Sequence, residues 1–174
     1  DRPIAAAAHR PGLTQVLACS RKFTNKPMRK IIFLDFDGVL HPDGIAKFSR
    51  LPILERFLFE MPDAEVVVSS TWREDHTLDQ LRGFFSPPLR SRISGVTPSL
   101  DDGYEIGGRQ KEIMSYLSNE GLSDTTCYWV ALDDIAMFFE DSCQNLVLTD
   151  SSIGFTEQEG EQLIAWYKRA GSAG

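Results

Sequence analysis

The stretch Ile31-Ile32-Phe33-Leu34-Asp35-Phe36-Asp37-Gly38-Val39-Leu40 decides how the rest of this chain reads. Four consecutive apolar residues suit a strand buried on both faces of a parallel sheet. Asp35 and Asp37 follow directly, at the carboxyl end of that strand, where open α/β sheets bind their ligands. Two carboxylates one residue apart repel each other unless a cation lies between them. A hard, oxygen-seeking ion such as Mg²⁺ is the natural resident. Gly38 then lets the backbone turn tightly away. A strand ending in a polar turn would use the same residues, so the other strand ends have to decide between the two.

Outward from this stretch, strand and helix patterns alternate. Strands are expected over residues 31–34, 65–68, 93–96, 128–132 and 145–148. Helices are expected over about 52–61, 77–85 and 109–119, with a last one opening at the capping box Thr156-Glu157-Gln158-Glu159. Pro52 suits a first helical turn, and Gly121 suits the position just after a helix end. His41-Pro42-Asp43-Gly44 supplies turn chemistry for a short flap. Alternation of this kind predicts an α/β fold, doubly wound and Rossmann-like, with three layers and a mainly parallel sheet of about five strands. Residues 28–174 are read as one domain. Residues 1–27 carry no amphipathic period and are read as a flexible leader or tag-like segment.

Charge and composition narrow the function classes. The 174 residues are 42% hydrophobic and 25% charged, as in a soluble globular protein, and no apolar run is long enough to span a bilayer. Three cysteines without C-x-x-C spacing favour a reducing, cytoplasmic setting over a disulfide framework or zinc site. The net charge of −7 is uneven: residues 1–30 hold seven Lys/Arg and one acid, leaving 11 basic and 24 acidic residues beyond them. Such a body is no general nucleic-acid surface. A phosphate-bearing ligand would need a metal and a few placed cations.

Those groups recur at the other strand ends. The second strand runs into Ser69-Ser70-Thr71-Trp72-Arg73, where hydroxyls and free backbone N–H groups suit a phosphate cradle. The fourth ends in Leu132-Asp133-Asp134, a second carboxylate pair. Arg109 and Lys111 open the preceding helix, where a cation opposes the helix macrodipole and a bound phosphate would hold it in place. In this order the four elements resemble the motifs of the haloacid dehalogenase-like (HAD) superfamily of phosphohydrolases. The runs Leu-Asp-Phe-Asp-Gly-Val-Leu-His-Pro, Ser-Ser-Thr-Trp-Arg and Leu-Asp-Asp are similar to a compact branch, the HAD domains of bacterial RNA-repair proteins. The resemblance covers roughly residues 30–170.

It implies a Mg²⁺-dependent phosphomonoester hydrolase that works through an aspartyl-phosphate, with Asp35 as nucleophile and Asp37 as general acid and base. Asp35, Asp37, Asp133 and Asp134 would bind the metal. Ser69 or Ser70 and Arg109 or Lys111 would hold the phosphoryl oxygens. His41, Trp72 and Arg73 are expected at the substrate rim. Only 31 residues separate Asp37 from Ser69, and 35 separate Arg73 from Arg109, so no large cap domain fits. An open site suits a nucleic-acid end or a phosphoprotein. Two alternatives remain at this point: a small-molecule or nucleotide phosphatase, and a non-catalytic Mg²⁺-binding module on the same fold. A phosphoacceptor receiver domain is disfavoured, because it carries no D-x-D after its first strand.

Overall fold

Ile31, Ile32, Phe33 and Leu34 have no exposed surface, as a strand covered on both faces requires. In the computed structural model, residues 28–44, 47–123 and 125–171 are described, and the leader expected over 1–27 lies outside them. β1 (Arg29–Leu34) is followed by α1 (Leu51–Glu60), β2 (Ala64–Val68), α2 (Trp72–Asp75), α3 (Leu78–Gly83) and β3 (Ile93–Val96). Then come α4 (Gly108–Asn119), β4 (Cys127–Asp133), β5 (Leu146–Leu148) and α5 (Glu157–Gly171). Short 3₁₀ turns stand at Pro42–Gly44, Pro87–Arg92 and Ala136–Phe138.

The sheet is all parallel, in the order β3-β2-β1-β4-β5. The chain winds outward from β1 to β3, then restarts at β4 on the other side of β1. The reversal therefore falls between β1 and β4, the topological switch point at which doubly wound sheets open a crevice. Register makes the crevice level. Leu34 pairs with both Val68 and Leu132, so Asp35, Ser69 and Asp133 stand side by side along one edge.

Alternation along β1 divides the core. Ile32 and Leu34 pack with α1, α3 and α5, while Ile31 and Phe33 pack with α4. Phe33 meets Tyr116 and Trp129 edge to face, at centroid distances of 5.6 and 6.0 Å. The three-layer arrangement matches the sequence expectation, and no cap domain stands among the described residues. Among them, too, no helix is long and apolar enough to cross a membrane.

The helix expected over 77–85 differs in detail. A separate turn, α2, precedes it, and Thr77 and Gln80 form a reciprocal capping box that starts α3 afresh. Thr77 is extended, with ψ of 158°, which breaks the two helices apart. The tight cap at Phe84 then ends α3 before the two prolines do.

Candidate active site

The hydrogen-bond ladder continues one residue past the strands and fixes the backbone beneath each site residue. Asp35 donates its N–H to Leu132 O, Ser69 to Leu34 O and Thr149 to Asp133 O, at 2.9, 2.9 and 3.0 Å. After Asp35 the chain folds into a tight turn, with the N–H groups of Leu40 and His41 both reaching Phe36 O. Gly38 has φ of +67°, and a Cβ there would fall 2.1 Å from Asp134 Oδ2. Both its conformation and its lack of a side chain are needed. The buried Thr149 hydroxyl donates to Gly38 O at 2.9 Å and pins the turn to β5.

Asp35, Asp133 and Asp134 come together here, each offering a carboxylate oxygen within 4.8 Å of the others. Asp35 Oδ1 accepts the Phe36 N–H at 2.8 Å, and Asp133 Oδ1 accepts the Ile135 N–H at 2.9 Å. Asp133 Oδ2 is buried with no hydrogen-bond partner. Burial, and then the charge of Asp35, push the Asp133 carboxyl up to about 7. Asp134 is raised for the same reasons in the same order. Burial raises Asp35 as well, while Arg109 and the Ser70 hydroxyl pull it down. Three crowded acids with an orphaned buried oxygen fit a hard divalent cation. The Asp37 carboxylate lies outside this trio, exposed, with Oδ2 accepting the Trp72 indole N–H at 3.0 Å.

Arg109 is the cation the fold brings to the acids. Its side chain is 4% exposed, with Nη1 3.9 Å from Asp35 Oδ1 and Nε 4.0 Å from Asp133 Oδ2. Both Nε and Nη1 lack a hydrogen-bond partner. Lys111, the other candidate on this helix, is at the surface and pairs with Asp102. Arg73 is buried too, donating to Ser69 O at 2.6 Å and to Glu112 Oε1 at 2.7 Å, and burial lowers its guanidinium from the usual range. Glu112 Oε2 lies 3.7 Å from Arg109 Nε, so one buried carboxylate serves both arginines. Sequence reasoning had passed over Glu112. Its position three residues after Arg109 on a helix was the available signal.

Ser69 and Ser70 are both buried beside the acids. Trp72 is stacked between His41 and His76, at 5.0 and 5.1 Å with interplanar angles of 23° and 18°. His41 is buried and accepts the Phe48 N–H on Nδ1 at 2.7 Å, which assigns its proton to Nε2. Burial lowers its pKa. His41 is thus packed inside an aromatic cluster, and Arg73 inside an ion-pair network. Elsewhere, a groove of about 860 Å³ runs along β4, β5 and α5, but no carboxylate lines it. The chemistry is concentrated at the strand ends.

An open parallel sheet with acids at its switch point and an arginine aimed at them is the fold and site layout of the HAD class. Members of that class are in general hydrolases, mostly phosphatases. The chain matches the family model described as the HAD domain in Swiss Army Knife RNA repair proteins over residues 31–159, and it belongs to that family. No curated protein and no solved structure matches it.

Proposed function

We propose that the protein is a Mg²⁺-dependent phosphomonoesterase acting on nucleic-acid ends. The observation that carries this reading is the pairing of the Asp35, Asp133 and Asp134 cluster with Arg109, whose buried Nε and Nη1 have no hydrogen-bond partner and lie 4.0 and 3.9 Å from its carboxylate oxygens. Buried donors left unpaired are costly unless a ligand uses them, and a phosphoryl group is the ligand that suits a guanidinium. The RNA-repair family supports a nucleic-acid end as substrate. The loop-sized connection between β3 and α4 supports an open approach.

In this reading a carboxylate oxygen of Asp35 attacks phosphorus and forms an aspartyl-phosphate, while the bond to the leaving oxygen breaks. Asp37 gives that oxygen its proton. It then takes a proton from the water that attacks the aspartyl-phosphate, which releases inorganic phosphate and restores Asp35. Arg109 and the Ser69 and Ser70 hydroxyls hold the equatorial oxygens of the transferring group. Asp35, Asp133 and Asp134, with the backbone carbonyl of Asp37, would hold Mg²⁺. When bound, that ion offsets the negative charge that otherwise keeps carboxylate and phosphate apart.

The test is phosphate release, with and without Mg²⁺, from an aryl phosphate, mononucleotides, 3′- and 5′-phosphorylated oligonucleotides and a phosphopeptide. Metal-dependent release that disappears in Asp35→Asn is expected, with the oligonucleotides among the good substrates. A folded, Mg²⁺-binding protein that releases nothing would instead be a binding module.

A further inference from the structure

From the buried Arg109, a chain of contacts leads through Phe138 to exposed apolar side chains. The Arg109 guanidinium carbon lies 5.7 Å from the ring centre of Phe138, and Tyr104 meets Phe138 edge to face at 6.4 Å. Tyr104, Ile106 and Met137 are 62%, 74% and 54% exposed. The Gly107 N–H donates to Met137 O at 3.0 Å, so these side chains come from two segments tied together. Exposed apolar side chains gathered on linked segments mark recognition surfaces when they form a contiguous patch.

The loop that carries Tyr104 is firmly seated. Gly103 donates to Leu100 O and Gly108 to Glu105 O, at 3.0 and 2.9 Å. The Leu100 N–H reaches Glu112 Oε1 at 3.2 Å, and a Cβ on Gly103 would fall 2.6 Å from that same oxygen. The carboxylate that serves Arg73 and Arg109 therefore also positions the shelf.

We infer that Tyr104, Ile106 and Met137 form a stacking shelf for the base of one terminal nucleotide whose phosphate lies against Arg109. This rests on the phosphatase reading above and names its substrate class. A nucleotide carries a flat ring system joined to its phosphate through the sugar, and Arg109, Phe138 and Tyr104 follow one another in the same order from the phosphate site to an exposed aromatic ring. A phosphorylated serine or threonine has no such ring. Charge limits the contact to a single nucleotide. Asp101, Asp102 and Glu105 flank the shelf on its loop, Glu140 and Asp141 follow the 3₁₀ turn, and Lys111 is already paired with Asp102. Such a fringe repels a longer phosphate backbone, which must leave toward solvent.

The test compares the full chain with Tyr104→Ala, Tyr104→Phe and Asp35→Asn. Its substrates are ribose 5-phosphate, 3′- and 5′-mononucleotides, end-phosphorylated oligonucleotides of increasing length and a phosphopeptide. Tyr104→Ala is expected to raise KM for every base-bearing substrate about 10-fold with kcat unchanged, Tyr104→Phe to restore it, and ribose 5-phosphate to be indifferent to both. KM should not fall with oligonucleotide length, and added salt should change it little. Unchanged KM in Tyr104→Ala, KM that falls steeply with length, or preference for the phosphopeptide would overturn the shelf. Release from ribose 5-phosphate that is lost in Asp35→Asn would still uphold the phosphatase. Mononucleotide binding to Asp35→Asn, read by calorimetry with and without Tyr104→Ala, tests the shelf even where turnover fails. About 10-fold weaker binding in the double variant supports it, and equal binding overturns it.

Discussion

The indole N–H of Trp72 donates to Oδ2 of Asp37 at 3.0 Å, and the same indole is clamped between the rings of His41 and His76. Edges of Phe36, Phe48 and Phe84 close around it. An exposed carboxylate on a tight turn is thereby aimed by a packed aromatic cluster. Replacing Trp72 by Phe keeps most of the packing and removes the donor. If Asp37 protonates the leaving oxygen, Trp72→Phe should lower kcat/KM about 10-fold for an alkyl phosphate, a fraction of what general acids contribute. It should matter much less to kcat/KM for an aryl phosphate, which leaves without help. Steady-state kinetics on the two substrates decide it, and equal losses would refute an orienting role.

Glu112 is the hub of the buried cations. It accepts from Arg73 and from the Leu100 N–H, and it lies beside Arg109. Removing one partner of a buried ion pair leaves the other charge uncompensated, at a cost of about 3–5 kcal/mol. Glu112→Ala should therefore lower Tm by roughly 10 °C in a domain of this size. Lys111→Ala, which breaks only a surface pair, should leave Tm unchanged. Thermal unfolding followed by circular dichroism separates the two, and similar Tm values would show that Glu112 carries no such load.

The fold was legible because residues 31–34 are apolar without interruption and the second and fourth strands end in chemistry. Asp35, Ser69 and Asp133 sit level because Leu34 pairs with Val68 and Leu132, a register that strand order alone does not fix. Less visible were the partners that hold the site. The sequence pattern placed Trp72 and Arg73 at the substrate rim, yet Trp72 grips Asp37 and Arg73 grips Ser69 O and Glu112. Side-chain direction depends on where α2 leaves β2, and a four-residue helix leaves no periodic signal to read. The contact of Tyr104 with Phe138 joins residues far apart in sequence on irregular segments, where no periodicity exists.

Proton linkage gives the metal-free protein an unusual pH dependence. The Asp133 carboxyl, pushed up to about 7, binds its proton more tightly in the folded chain than in the unfolded one, where it titrates near 3.9. Its protonation therefore stabilises the native state. That contribution is complete below about pH 4 and is lost as the pH rises through about 7, and it amounts to about 4 kcal/mol at most. Asp35 and Asp134 shift in the same direction. With chelator present, Tm should be higher at pH 5 than at pH 8, and Asp133→Asn should flatten much of the difference. A metal-free Tm that climbs from pH 5 to 8 would contradict the assignment.

Mg²⁺ should reverse that trend, because it binds only the folded, deprotonated acids. At 100 times its dissociation constant a native-state ligand adds about 2.7 kcal/mol, enough to raise Tm by several degrees. Two glycines allow this effect to be separated from general stability. A Cβ on Gly38 would fall 2.1 Å from Asp134 Oδ2, and its φ of +67° strains any side chain. Gly38→Ala should therefore lower Tm and also abolish the Mg²⁺-dependent rise, as Asp134→Asn should without the backbone strain. A Cβ on Gly160 would fall 2.0 Å from the Phe57 ring, where α5 packs on α1 and none of the clustered acids is the neighbour it meets. Gly160→Ala should lower Tm at least as much, through overpacking worth about 1–3 kcal/mol, while keeping the full Mg²⁺ response. Melting curves of the three variants with Mg²⁺ or with chelator check all of this, and a Mg²⁺ response that survives in Gly38→Ala would mean that Asp134 is no ligand.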